Sequence, residues 1–319
     1  MRRRAFIAFS VPAAAWPLGS RAQSAAPIVG VLVAGIPDPT LFLKEFREGL
    51  RGLGYVEGKN IVLEIRSPGS TDPARLKASA AELVRLKVKV IVCYQTPTAE
   101  AAKETTQDIP IAMETGDPVG TGLVASLAHP GGNLTGMSGA TADVAAKNVE
   151  ILRELLPAAK RIGAMCNAND PFSKPFLAKI QAAGNALGVE IHPAFAHGAA
   201  ELEAAFAGLL RVPVDAIVVQ PSLGAKAPAD LALKYRLPAA SPHIPFANAG
   251  GLLSYSANQP ALYRTVAVFV DKMLKGAKPA DLPVQEPTTF DLVINLKTAK
   301  VLGLSVPPAL LARADRVIE

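Results

Sequence analysis

Polar residues with binding chemistry recur at one kind of place in this chain, just after short apolar runs. Ala34 and Gly35 follow the run 27–33 (PIVGVLV). Tyr94, Gln95, Thr96 and Thr98 follow 89–93 (KVIVC), and Glu114, Gly116, Asp117 and Pro118 follow 109–113 (IPIAM). Farther on, Asn167, Asn169 and Asp170 follow 161–166 (RIGAMC), Gln220 follows 215–219 (DAIVV), and Ser254 and Tyr255 close 251–255 (GLLSY). The inventory is rich in hydrogen-bond donors and acceptors and poor in acids and bases. It suits a clamp for a small polar or zwitterionic molecule. Thr98 and Thr121 stand at or near expected helix starts, whose free N–H groups favour a carboxylate. Asp117 or Asp170 suits an ammonium group. Each of these residues also has a plainer use. Asp117 before Pro118 suits a helix cap near Val119, Asn167, Asn169 and Asp170 before Pro171 are turn formers, and Tyr94 and Tyr255 suit a core.

Other chemistries fail on spacing. The glycines of 115–136 (TGDPVGTGLVASLAHPGGNLTG) form neither a P-loop nor a GxGxxG turn, and the turn after the first apolar run is VAGIPDPT. Dinucleotide binding is therefore not expected, and no cofactor is. The histidines, His129, His192, His197 and His243, have no carboxylate or thiol at ligand spacing, so no metal site is expected. There is no GxSxG elbow and no CxxC pair. Cys93 and Cys166 end apolar runs and read as buried free thiols.

The elements that must position the polar residues alternate. Strands are expected at 27–33, 61–65, 89–93 and 109–113, with helices at 40–53, 74–86 and 97–105 between them. Asp72 with Pro73 is a helix start of the usual kind. The segment 123–127 reads as a short helix begun by the Asp117-Pro118 turn. The alternation then restarts, with helices at 144–155, 175–187, 200–210 and 227–235, and strands at 161–166, 189–195, 215–219 and 238–241. This spacing predicts right-handed βαβ units and two Rossmann-like α/β lobes with parallel sheets. A strand at 251–255, a long helix at 259–274, a proline-bearing linker at 278–286 and a last strand at 290–295 suit a chain that crosses back between lobes.

The length, 319 residues, suits about two domains. Half of the residues are hydrophobic, enough for a sizeable core. Residues 1–22 (MRRRAFIAFSVPAAAWPLGSRA) carry three consecutive arginines, an apolar stretch and then a fourth arginine between the small residues Ser20 and Ala22. They read as an export signal cleaved near Ala22 and place the protein in the periplasm; Arg3-Arg4 also fits a twin-arginine route. Without that segment's four arginines the formal net charge falls from +6 to +2. No basic run with interleaved aromatics remains, so nucleic acid is not an expected partner.

Several segments together resemble the TrpX-like family of ABC-transporter substrate-binding proteins. They are the export signal, FREGLRGLGYVEGKNI, GDPVGTGLVASLAHPGGNLTG, AGGLLSY and the tail KGAKPADLPVQEPTTFDLVINLKTAKVLGLSVPP. The resemblance implies a periplasmic-binding-protein type I fold: two α/β lobes joined by three crossings, with ligand between them. It places the first lobe at 27–137 plus 252–286 and the second at 138–251 plus 287–319. Hinges are then expected at 136–138, 250–252 and 286–289. It assigns Asp117-Pro118 to the family's GDP motif, Ser254-Tyr255 to its sY motif, Thr96 to Thr98 to its small polar loop and Asn167 to Asp170 to the first loop of the second lobe. The connection 221–230 is shorter than the family's usual one, which leaves the ligand class open. The implied protein is a monomeric receptor without catalysis that holds an amino-acid-like solute, aromatic amino acids included, and docks on a membrane permease. Few tryptophans and phenylalanines fall in the predicted loops, so no aromatic cage is expected. An isomerase or transferase on the same architecture would need an acid/base pair from Asp117, Asp170 and Glu114. A ligand-sensing partner of a signalling receptor is the third reading.

Overall fold

The computed structural model describes residues 26–34 and 39–319. The export-signal segment 1–22 and Gly35 lie outside the described residues.

Two sheets organise the chain. In the first, β1 (Ile28–Val33), β2 (Val62–Arg66), β3 (Val90–Tyr94), β4 (Ile111–Thr115) and β5 (Leu134–Ser138) stand in the order β2-β1-β3-β4-β5, all parallel. The central strand β3 is buried along its whole length, which is why it reads as an unbroken apolar run. Helices α1 (Thr40–Gly52) and α9 (Gln259–Leu274) cover one face, with Phe42, Phe46 and Leu50 meeting Leu262, Val266 and Val270. Gly49 allows the close approach, since a Cβ there would lie 2.6 Å from the Arg264 carbonyl oxygen. Helices α2 (Pro73–Arg85) and α3 (Thr96–Thr105) cover the other face through Leu76, Ala80, Leu83, Ala99 and Ala102. The expected cap of α2 is present: Asp72 Oδ1 accepts from the Arg75 N–H at 3.0 Å.

The second sheet has seven strands in the order β12-β11-β10-β9-β8-β6-β7. These are β6 (Arg161–Asn167), β7 (Glu190–Ala196), β8 (Ala216–Val219), β9 (Ala239–Ala240), β10 (Leu253–Ala257), β11 (Phe290–Asn295) and β12 (Arg316–Ile318). Strands β6 to β10 pair in parallel, while β11 runs antiparallel to β10. Helices α4 (Thr141–Leu155), α5 (Ser173–Leu187), α10 (Leu296–Leu302) and α11 (Pro308–Ala312) pack on one face. Helices α6 (Leu202–Leu209), α7 (Lys226–Lys234) and α8 (Ile244–Asn248) pack on the other.

Three crossings join the lobes side by side. The first runs through Gly139 and Ala140, between β5 and α4; Ala140 takes a left-handed φ of 49° there. The second is Asn258, between β10 and α9, and the third is residues 286–289, ahead of β11. Ser138 N donates to Gln285 O at 2.8 Å, and Asn258 N donates to Thr289 O at 3.0 Å, so the crossings are tied to one another.

Several expectations change. Strand β10 lies in the second sheet, so residues 252–257 belong to the second lobe rather than the first. The middle crossing is at Asn258 and not at 250–252, and the first follows 136–138, which are strand residues of β5. Residues 123–127 are bend and irregular chain rather than helix. Gly122 at φ 73° breaks any helical run, and the Asp117 turn closes on itself by Thr121 N to Asp117 O at 3.1 Å. Strand β5 was not expected from its sequence LTGMS. Gly136 makes that strand possible: at φ 146°, a Cβ would lie 2.2 Å from the Met113 carbonyl oxygen of β4.

Candidate functional site

The C-terminal ends of both sheets face one cleft, the place where open α/β sheets hold ligands. The first lobe supplies Tyr94, Gln95 and Thr96 after β3, Glu114 and Gly116 at the end of β4, and Gln259 and Tyr263 from α9. The second lobe supplies Thr141 from α4, Asp170 and Phe172 after β6, Pro221 and Ser222 after β8, and Pro242 and His243 after β9. The space between them is about 420 Å³, its open mouth included.

Three buried side-chain atoms facing this cleft have no hydrogen-bond partner among the described residues: Gln95 Oε1, His243 Nδ1 and Gln259 Oε1. Buried polar groups are nearly always paired, because an unpaired one costs about 1–3 kcal/mol. Three around one cavity therefore mark a site built for a polar guest. Gln95 adds backbone strain. Its φ of 77° and ψ of 157° lie in a region almost reserved for glycine. The residue is held there by its N–H donating to Glu114 O at 2.8 Å and its carbonyl accepting from the Thr98 hydroxyl at 2.8 Å.

The electrostatics are set by burial. Among the described residues, no lysine or arginine lines the cleft. Glu114 is 9% exposed, and its carboxyl makes no hydrogen bond to the described residues. Burial alone pushes its pKa up to about 8. Asp170 is pushed up to about 6 by burial, against hydrogen bonds from Ser222, the Phe172 N–H and Gln220. His243 is pushed down to about 4, so its ring is neutral. Tyr94 and Tyr263 share a hydroxyl–hydroxyl hydrogen bond of 3.0 Å, and burial raises both phenols.

Beneath the second-lobe wall, Gln220 uses its whole amide. Its Oε1 accepts from Asn167 N at 2.9 Å and from the Ser173 hydroxyl at 2.7 Å. Its Nε2 donates to Asp170 Oδ2 at 2.8 Å and Ser222 Oγ at 3.1 Å. Gln220 thus orients Asp170 and Ser222 without facing the cleft. Asn167 bridges the lobes instead: its Nδ2 donates to Thr71 Oγ1 at 3.2 Å and to Ser222 O at 3.1 Å.

Of the residues expected at the site, Gln95, Thr96 and Asp170 line the cleft. The others have structural uses. The Thr98 hydroxyl donates to the Tyr94 and Gln95 carbonyls at the start of α3. Asp117 Oδ1 accepts from Gly120 N at 2.7 Å, a turn cap, with Pro118 buried behind it. Asn169 donates to His197 O, away from the cleft. The Ser254 hydroxyl donates to His243 O, so it supports the cleft wall from behind. Tyr255 stacks on Phe290 in a separate surface groove on the second lobe. Ala34 is buried and off the cleft. Although no aromatic cage was expected from the few tryptophans and phenylalanines in the predicted loops, Tyr94, Phe172 and Tyr263 bring three rings to the cavity.

Several lining residues were missed, and most had a usable signal. Phe172, Ser222 and His243 all follow strand ends, the rule that found Gln95, and Glu114, already noted beside the fourth apolar run, stands one place before the end of β4. Gln259 and Tyr263 are four apart on one helix, hence on one face.

Comparison with known proteins agrees with this geometry. The family model described as ABC transporter substrate binding protein matches residues 32–318. A tyrosine-binding protein of Clostridioides difficile (strain R20291) is 27% identical over 270 residues, 82% of this chain and 76% of that one. A structure of the ABC domain from Streptococcus pneumonia in complex with L-Trp superposes with a TM-score of 0.85 at 28% identity, covering 92% of this chain and all of that one. A conserved domain protein from Vibrio cholerae gives the same TM-score of 0.85 at 27% identity, covering 92% of this chain and 99% of its own. With its two α/β lobes and three crossings, the chain has the type I periplasmic-binding-protein fold and belongs to the ABC transporter substrate-binding protein family.

Proposed function

We propose that this protein is an exported receptor of an ABC importer that clamps a zwitterionic, amino-acid-like solute with an aromatic or large apolar side chain. The observation that carries the reading is the cleft itself, walled from both lobes and edged by the unpaired atoms of Gln95, His243 and Gln259. The tyrosine- and tryptophan-binding relatives support an aromatic amino acid. The rings of Tyr94, Phe172 and Tyr263, with Pro221 and Pro242, supply an apolar surface for such a side chain. The start of α3 at Thr96 supplies free first-turn N–H groups and a hydroxyl for a carboxylate.

Function follows from differential affinity. A solute touching both walls binds the closed arrangement better than the open one, and only that difference drives closure. The three crossings are the hinge about which the lobes swing. The closed receptor, exported by the signal at residues 1–22, then docks on its membrane permease as a monomer.

The shortage of acid/base pairs supports a receptor over an enzyme. Asp117 is engaged by Gly120 N, and Asp170 by Gln220 and Phe172 N, which leaves Glu114 without a catalytic partner. Thermal-shift screening against amino acids, nucleosides and aromatic acids tests the reading. One solute class is expected to raise the melting temperature as linkage requires, with the solute recovered unchanged. No shift with any class, or conversion of the solute, contradicts it.

A further inference from the structure

Glu114 is the one cleft group whose charge is left uncompensated. It stands one residue before the end of β4 and is nine-tenths buried, and among the described residues its carboxyl has no hydrogen bond and no cation beside it. The groups that share its surroundings come from every neighbouring element. Tyr94 of β3 and Tyr263 of α9 feel its charge, and both are held as neutral phenols. His243 from the β9–α8 turn is neutral, and Asp170 from the second lobe would repel a second anion. Gly139, on the first crossing, comes so close that a Cβ there would lie 3.2 Å from Glu114 Oε1. Thr141 and Gln259 complete the surround. None of these carries positive charge.

Resting on the receptor reading above, we propose that Glu114 is the acceptor for a cationic nitrogen of the solute, and that its proton is expelled to solvent when that nitrogen binds. An ammonium group has three N–H donors. The Glu114 carboxylate, Gln95 Oε1 and Gln259 Oε1 are three acceptors on the same wall, none of them hydrogen-bonded among the described residues. The exchange balances. The neutral acid gives up its O–H proton to water as the solute's positive charge arrives, and the carboxylate and ammonium then neutralise each other. Burial without a partner keeps the empty site protonated at neutral pH. An opposite charge in contact reverses that preference. A buried carboxyl without a cation thus selects amines over their neutral or anionic analogues, and it makes affinity rise with pH below about 8.

The experiment is calorimetric titration of the protein with L-tyrosine, L-tryptophan and des-amino tyrosine in buffers of different ionisation enthalpy. Wild type is expected to release about one proton on binding either amino acid at neutral pH. Des-amino tyrosine is expected to bind at least about tenfold more weakly and to release none. Glu114→Gln, which keeps shape without charge, is expected to lose at least about tenfold in affinity for the amino acids together with the proton release. Amino-acid binding with no proton released by wild type overturns the proposal and needs no variant. Unchanged affinity in Glu114→Gln overturns it too. Tight binding of a neutral solute with no amino acid bound overturns it while the receptor reading stands. Failure of every solute class in the thermal screen removes the receptor reading itself.

Discussion

The ring of Phe172, in the second lobe, lies directly against Gly116, in the first; a Cβ on Gly116 would come within 2.7 Å of it. This contact and the Asn167–Thr71 hydrogen bond, 3.2 Å across the lobes, join the two walls of the cleft. This arrangement leaves no room for a methyl group at position 116.

Gly116→Ala is expected to prop the lobes apart. The backbone at this position is not left-handed, so the substitution strains no dihedral, and its effect falls on the Phe172 contact. Overpacking of this kind costs about 1–3 kcal/mol, so ligand affinity should fall by about tenfold or more. Small-angle scattering should show a larger radius of gyration in solute-saturated variant than in wild type. Unchanged affinity and dimensions would show that the contact does not govern closure.

Thr71→Val tests the interlobe hydrogen bond without touching the cleft lining. Loss of one net hydrogen bond is worth about 0.5–1.5 kcal/mol, and affinity should fall by about threefold to tenfold. Melting of the solute-free protein should move little, because the bond joins lobes rather than building either core. A large loss of solute-free stability would place the bond's role in folding instead.

Gln95→Gly should separate stability from function. Glycine relieves the strained φ of 77°, a strain of about 1–3 kcal/mol, offset in part by glycine's greater freedom in the unfolded chain. The variant is expected to unfold at higher denaturant and to bind solute more weakly, having lost the Gln95 amide. Loss of both stability and binding would indicate that Gln95 is packed for structure.

Gln220→Leu should be severe. It removes the partner of Asp170, Ser222, Ser173 and the Asn167 N–H together. Orphaned buried groups cost about 1–3 kcal/mol each, so a stability loss of about 3 kcal/mol or more is expected in denaturant unfolding. A loss below about 1 kcal/mol would contradict the view that this amide organises the second-lobe wall.

Solute-free stability should also fall as pH rises. Glu114 and Asp170 have native pKa values raised above their ordinary ones, to about 8 and about 6. Between the ordinary and raised values the native state holds more protons than the unfolded chain, so each group lowers stability by about 1.4 kcal/mol per pH unit there. The windows run upward from the usual carboxylate range to about 6 for Asp170 and about 8 for Glu114. Urea unfolding of Glu114→Gln should show a shallower decline than wild type above pH 6. Parallel profiles would deny Glu114 its buried, neutral state.

The sequence shows the lobes well and the cleft only in part, for physical reasons. Strand β3 is apolar on both faces and α9 has an unbroken helical stripe, so both are visible in one segment. The LTGMS of β5 owes its pairing to Gly136 fitting over the Met113 backbone, which no local pattern carries. Strand β10 and helix α9 are one residue apart yet in different lobes, a division that periodicity does not mark. At the site, the strand-end rule located Gln95, Thr96 and Asp170. It also pointed to Asp117, Asn167 and Ser254, whose polar groups are taken up by turns and neighbouring backbone. Which strand-end residue keeps a free polar atom is decided by contacts with the opposite lobe.

The most direct test of the account uses a feature of the composition. The single tryptophan is Trp16, so the chain lacking residues 1–22 has none, and L-tryptophan can be titrated against a background free of indole emission. The account predicts a saturable one-to-one change in the ligand's emission, with energy transfer from the cleft tyrosines, competed by aromatic amino acids and weakened in Gly116→Ala. An emission that never saturates, with no competition by any amino acid, would contradict a receptor that closes its two lobes on an aromatic zwitterion.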